Sequence, residues 1–227
     1  MKRILSNTRI LAATTGLLAS AAIMPAQASV VYQSTAYSGM DTGDYILSSN
    51  NFMGAAFQLT TATKITGIGA QFGANNGGAI FGTIVPLASL TAFPAGSSAD
   101  LSSISLASTV FSVPSGTTAL DFVTPLSVTL NAGSYGVIFG AGQFGSTASG
   151  FAGLGGYNTP TGTSPELFRS FFSTDWTRFD DNIRIVVEGN SISTVPLPAG
   201  LPLMAAGLGV LGLLGARHYR RGDATIG

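Results

Sequence analysis

The chain has 227 residues with ten basic and ten acidic side chains, one histidine and no cysteine. That composition excludes disulfides, Cys-ligated metal and thiol chemistry. The balance of charge hides an asymmetry. From Ser29 to Thr194 stand nine acids (Asp41, Asp44, Asp100, Asp121, Glu166, Asp175, Asp180, Asp181, Glu188) and four bases (Lys64, Arg169, Arg178, Arg184), a net charge of about −5, which excludes a nucleic-acid partner.

The chain opens with a basic cluster, Lys2, Arg3 and Arg9, then an apolar run from Ile10 to Met24 and the small-residue site Ala26-Gln27-Ala28. This order predicts a signal peptide over residues 1–28, with cleavage after Ala28 and export of the chain from Ser29 onward. Residues 29–194 suit one domain with a core of its own. Short apolar runs separated by Gly, Ser, Thr, Asn and Pro, without helical periodicity, predict an all-β domain. The predicted strands run over Val30–Tyr37, Ala55–Leu59, Lys64–Phe72, Ala79–Leu87, Ile104–Phe111, Ala119–Val123, Leu126–Leu130, Gly133–Phe139 and Asn182–Glu188. Asn75-Asn76-Gly77-Gly78 reads as a hairpin turn, since Asn-Gly tolerates positive φ. Asn131-Ala132-Gly133 reads as a second, joining its flanking strands as an antiparallel pair. In the last strand the alternation of Ile183, Ile185 and Val187 turns Arg184 and Glu188 outward onto a wet face. Many short strands at this spacing predict an antiparallel two-sheet β-sandwich, jelly-roll-like, rather than a barrel. The segment from Leu130 to Tyr135, Leu-x-x-Gly-x-Tyr, resembles a strand-turn-strand feature of surface β-sandwich domains.

Groups able to do chemistry are few. The single histidine, His218, lies beyond the C-terminal apolar run, so the domain has no imidazole for a Ser-His-Asp arrangement or for ordinary zinc ligation. Lys64, the one lysine of the domain, reads as solvent-facing. Gly140-Ala-Gly142-Gln-Phe-Gly145 matches G-x-G-x-x-G, but the Gly- and Ser-rich residues behind it cannot form the helix that would hold a pyrophosphate. The whole stretch from Gly140 to Pro165 reads as a long surface loop. Asp175, Asp180 and Asp181, beside Trp176, are the remaining candidates: three hard oxygen donors for calcium, with the indole as a platform for a sugar ring. The plainer alternative is a solvated turn whose carboxylates pair with Arg178 and Arg184, while Trp176, Phe171, Phe172 and Phe179 close the core. Paired carboxylates could also serve glycoside hydrolysis. No residue is assigned as catalytic, and no cofactor beyond that calcium is implied.

The C-terminus carries the most specific signal. Val195-Pro196-Leu197-Pro198-Ala199 precedes an uncharged apolar run over residues 200–216, then the basic cluster Arg217, Arg220 and Arg221 and a short tail, residues 222–227. As a helix rising about 1.5 Å per residue, the stretch from Leu197 to Ala216 is just long enough to span the hydrocarbon layer of ~30 Å, and the arginines would stop it on the cytoplasmic side. An ordinary tail anchor would share this plan. The proline motif, the short helix and the terminal arginines together resemble the PEP-CTERM sorting signal of Gram-negative bacteria in its VPLPA variant. The resemblance covers residues 195–221. It implies an exosortase-type membrane protease as partner, transient residence in the inner membrane, and delivery to the cell surface or the exopolysaccharide matrix. Leu197 stands where the commoner motif has an acid, which implies a differently specialised sorting enzyme.

Three functions are expected on these grounds: a non-enzymatic surface or biofilm-matrix protein, a glycan-binding module assisted by calcium, and an exported glycoside hydrolase. The first takes precedence because two targeting signals flank a domain poor in catalytic groups.

Overall fold

The computed structural model describes residues 28–37, 44–113, 120–147, 151–156, 159–160, 166–172, 175–192 and 207–209. The strands are β1 (Ser29–Gln33), β2 (Thr35–Ala36), β3 (Asp44–Leu47), β4 (Asn51–Leu59), β5 (Thr63–Gly77), β6 (Ala79–Leu87), β7 (Ala107–Ser112), β8 (Leu120–Leu130), β9 (Gly133–Gly140), β10 (Phe151–Gly155), β11 (Thr159–Pro160), β12 (Leu167–Phe171), β13 (Thr177–Arg178) and β14 (Ile185–Ser191). A 3₁₀ segment, Ser98–Ser103, interrupts the run between β6 and β7.

The domain is all-β, with two six-stranded antiparallel sheets. The first has the order β1-β14-β5-β10-β3, with β8 also paired to β5; the second has the order β13-β12-β4-β9-β6-β7. Strand β5 is the spine of the first sheet. β8 lies along it from Thr63 to Phe72, while β14 covers the opposite edge up to Ala70 and β10 takes over that edge from Phe72 to Gly77.

One apolar cluster draws on both sheets: Ile65, Ile68, Ala70 and Phe72 of β5 and Ile185 and Val187 of β14 join Met53, Ala55 and Phe57 of β4, Ile80 and Ile84 of β6, and Val137 and Phe139 of β9. The Phe72 and Phe139 rings meet edge to face with centroids 5.3 Å apart, the geometry that the ring quadrupoles favour. The central strands of the second sheet are buried on their other face too. There Phe52, Ala56, Phe81, Val85, Ile138 and Phe168 pack with Leu101 of the 3₁₀ segment and with Trp176, and Leu90, Ile104 and Phe144 rest against them. Burial on both faces accounts for the nearly unbroken apolar run of β6, which periodicity alone cannot distinguish from a helix.

Several expectations are corrected. Neither predicted hairpin forms. β5 runs on through Asn75-Asn76-Gly77, and Gly78, with φ of 111°, turns the chain into the other sheet. The Asn131-Ala132-Gly133 turn likewise carries the chain from β8 to β9, strands that pair with β5 and with β4 and β6 rather than with each other. The two predicted strands either side of Thr124-Pro125 are one strand, β8, which passes the proline with a register shift. The predicted strand over Val30–Tyr37 is split at Ser34. The stretch read as a loop from Gly140 to Pro165 contains β10 and β11. Arg184 is buried rather than outward, and Val186 and Val187 are both buried, so the predicted wet face of the last strand is largely covered.

The predicted signal peptide up to Ala26, the motif Val195–Ala199 and Arg217, Arg220 and Arg221 lie outside the described residues. So does the apolar run over residues 200–216, except for Gly207–Gly209, which are helical. Among the described residues no helix is long and apolar enough to cross a membrane.

Candidate functional site

The described residues among the expected site residues stand in different surroundings. The Trp176 ring is 8% exposed and packs edge-on against Phe168, with ring centroids 5.4 Å apart, so it is a core side chain and no platform for a sugar. Asp175 and Asp180 are exposed. Asp181 is occupied: the Tyr45 hydroxyl donates to its Oδ2, and the Asn182 amide donates to Oδ1 at 2.6 Å. Among the described residues no three acidic or histidine side chains gather as a metal-ligand group. The expected arginine pairs also differ, because Arg178 binds Glu166 and stacks over Phe93, while Arg184 binds Asp121.

Arg184 is the most thoroughly engaged charge. Its Nε donates to both carboxylate oxygens of Asp121 at 2.7 and 2.8 Å, and its Nη1 donates to Gln33 Oε1 at 3.0 Å and to the Thr35 carbonyl. A guanidinium out of water requires such partners. Tyr32 sits differently: its ring stacks on Phe57 and its hydroxyl is buried without a hydrogen-bond partner among the described residues. Burial, and secondarily the charge of Glu166, pushes this phenol well above its ordinary range.

A cavity of about 520 Å³ opens on the outer face of the second sheet, within the size range of small-ligand sites. Four segments build it. The turn between β3 and β4 supplies Ser49 and Asn50, the 3₁₀ segment Ser98 and Ala99, the residues after β9 Ala141, Gly142 and Gln143, and the end of β12 Ser170 and Phe172 over a floor of Phe52. These segments are tied to one another. The Phe172 amide donates to the Asn50 carbonyl at 2.9 Å, and the Ala141 amide to the Ser48 carbonyl at 3.2 Å. Ser98 Oγ and Ser170 Oγ share a buried hydrogen bond of 2.7 Å, and Gln143 Nε2 donates to the Ser98 carbonyl at 2.9 Å.

The G-x-G-x-x-G segment thus has a place in the fold, and the described residues directly behind it, Ser146 and Thr147, are not helical. Gly142 and Gly145, at φ of 81° and 86°, bend the chain around the cavity mouth. Between them Phe144 packs its ring on Phe81 at 5.0 Å and anchors the bend. Phe144 and Phe172 are the two non-glycine residues with positive φ among the described residues, at 54° and 52°, and both belong to this corner. Bulky side chains seldom adopt that conformation. Sequence reasoning places Phe172 in the core, whereas it is 74% exposed at the rim. The signal for this in the sequence is the pairing of two adjacent phenylalanines, Phe171 and Phe172, which cannot both point inward from a strand. No protein-family model matches the chain, and no curated protein is similar to it at a significant level.

Proposed function

We propose that this is an exported, non-enzymatic protein of the cell surface or extracellular matrix of a Gram-negative bacterium, sorted through its C-terminal signal. The observation that carries this reading is the fit between the folded domain and the two sequence signals. Strand β1 begins at Ser29, directly after the expected cleavage site, and β14 ends at Ser191, shortly before Val195. The two ends are neighbours. Ser29 pairs with Gly189, and its hydroxyl donates to the Gly189 carbonyl at 3.0 Å, so the start of β1 and the end of β14 lie side by side in the first sheet, which supports processing at both ends of one folded unit. In this reading an exosortase-type protease takes the extended Val195–Ala199 motif, since proline disfavours helix there and leaves the backbone accessible. The apolar run is a temporary membrane handle, and the exopolysaccharide is the destination.

The finer fold belongs to the same proposal: a β-sandwich of jelly-roll type. From β3 to β6 the chain changes sheet at every connection, stays in the second sheet from β6 to β7, and then alternates again through β8, β9 and β10. The orders β3-β10-β5-β8 and β4-β9-β6-β7 that result from this path are those of two interlocked Greek keys. Intact mass of the protein isolated from its native cells tests the function. The expected mass starts at Ser29 and ends at or near the Val195–Ala199 motif; a mass that retains both ends of the 227-residue chain would sink the proposal.

A further inference from the structure

The cavity bounded by Asn50, Ser98, Gln143 and Phe172 has no part in export, and we infer that it is a binding site for a neutral, hexose-based glycan. This goes beyond the sorting proposal and does not rest on it, because the cavity is a property of the folded domain.

The chemistry of the lining selects the ligand. None of the ten lining residues is ionisable. A charged ligand would enter without a counter-charge, at a high desolvation cost. The lining instead combines the Ser49 hydroxyl and the Asn50 and Gln143 side-chain amides with two aromatic rings, one at the rim and one at the floor, while the Ser98 and Ser170 hydroxyls are paired with each other. A sugar ring needs this mixture: hydroxyls that must regain hydrogen bonds as they leave water, and a C–H face that packs on an aromatic ring. Gln143 is held for such a role. Its Nε2 is committed to the Ser98 carbonyl, which fixes the amide and leaves Oε1 as an acceptor without a partner among the described residues. Phe172 offers the ring, exposed rather than buried and braced by Phe171 in an edge-to-face pair with centroids 4.3 Å apart.

The site is also built in advance. Holding a phenylalanine at positive φ is strained, and such residues persist where the surroundings over-determine them. Here the constraint on Phe172 is the hydrogen bond to the Asn50 carbonyl, and that on Phe144 is its packing against Phe81. Both conformations converge on one cavity, which spares a ligand the cost of ordering the loops.

Calorimetric titration of the full chain with neutral tetrasaccharides of glucose, mannose and galactose, in α and β linkage, tests the inference, with tetragalacturonate as the charged comparison. At least one neutral sugar should bind. Phe172→Ala should weaken that binding about ten-fold, Phe172→Tyr should retain it, and Gln143→Ala should weaken it as well. Val110→Thr, on the exposed edge strand β7, should bind as the unsubstituted chain does. Circular dichroism of each variant separates lost binding from lost folding, and if Phe172→Ala fails to fold, the Gln143→Ala result decides. The inference is overturned if no neutral sugar binds, if tetragalacturonate binds as tightly, or if folded Phe172→Ala or Gln143→Ala binds unchanged.

Discussion

Arg184 and Tyr32 carry opposite kinds of buried polarity. Arg184 lies out of water but has four hydrogen bonds to three residues, whereas the Tyr32 hydroxyl lies out of water with no partner among the described residues. Substituting Arg184→Met removes the four hydrogen bonds to Asp121, Gln33 and the Thr35 carbonyl. Removing one partner of a buried ion pair costs about 3–5 kcal/mol, but the Asp121 side chain is 35% exposed and water can reach it, so a loss of about 2–3 kcal/mol is expected. Urea unfolding measures it, and a loss below about 0.5 kcal/mol would mean the pair is dispensable. Tyr32→Phe should be neutral or stabilising by up to about 1 kcal/mol, because it removes an unpaired polar group and keeps the ring stacked on Phe57. The pH dependence has a definite sign. With its pKa raised on folding, Tyr32 keeps its proton in the folded state while the unfolded phenol loses it near pH 10. The stability this gives is fully present below that pH and is lost as pH rises towards the folded pKa. The Phe variant should therefore show a shallower alkaline decline than the parent chain, and identical declines would contradict the assignment.

Strands β5 and β6 meet across the domain at a position where a side chain is missing. A Cβ at Gly82 would stand 2.8 Å from Ile68 Cδ1 in the first sheet and 2.8 Å from Phe139 Cε1 beside it. Glycine inside a strand marks such close approaches. Gly82→Ala should therefore destabilise by about 1–3 kcal/mol through overpacking. Ile68→Val, which deletes the colliding methyl, costs about 0.5–1.5 kcal/mol alone, and the double variant should be more stable than the two losses summed. Strict additivity in a double-mutant cycle would show that the two residues do not touch. The same strands show how much of the fold the sequence carried. Ala79–Leu87 was legible to the residue because both its faces are apolar and its ends are marked by Gly78 and by polar residues after Leu87. Partnership was not legible. A turn that changes sheets and a turn that closes a hairpin use the same residue types, so Asn131-Ala132-Gly133 resembled a hairpin although it is a corner, pinned by the Tyr135 hydroxyl on the Asn131 carbonyl at 3.0 Å. β10 was missed because a strand lying between two others can consist largely of small residues. The candidate site was less legible still: Trp176 and the aspartates drew attention by type, whereas Asn50, Gln143 and Phe172 are far apart in sequence and meet only through the fold.

The folded domain ends at β14, before the stretch to which the proposed sorting signal belongs. Among the described residues, the last backbone hydrogen bond that ties the C-terminal end to the domain is the one from the Ile192 amide to the Ala62 carbonyl at 2.8 Å, three residues before Val195. Among the described residues the apolar clusters contain nothing beyond Val187. β1, at the opposite end of the domain, is by contrast part of the first sheet, so truncation into Ser29–Gln33 strips β14 of one of its two neighbours and Arg184 of its bond to Gln33. Deleting residues 195–221 should accordingly leave the urea midpoint of the domain in place, within about 0.5 kcal/mol, as expected of changes remote from the core. If the proposed export and sorting hold, the same deletion in cells should move the protein from the surface or matrix fraction into the periplasm or medium. Unchanged surface retention would refute sorting by this segment. A large fall in stability would show that these residues belong to the fold, a result that the end of β14 at Ser191 argues against.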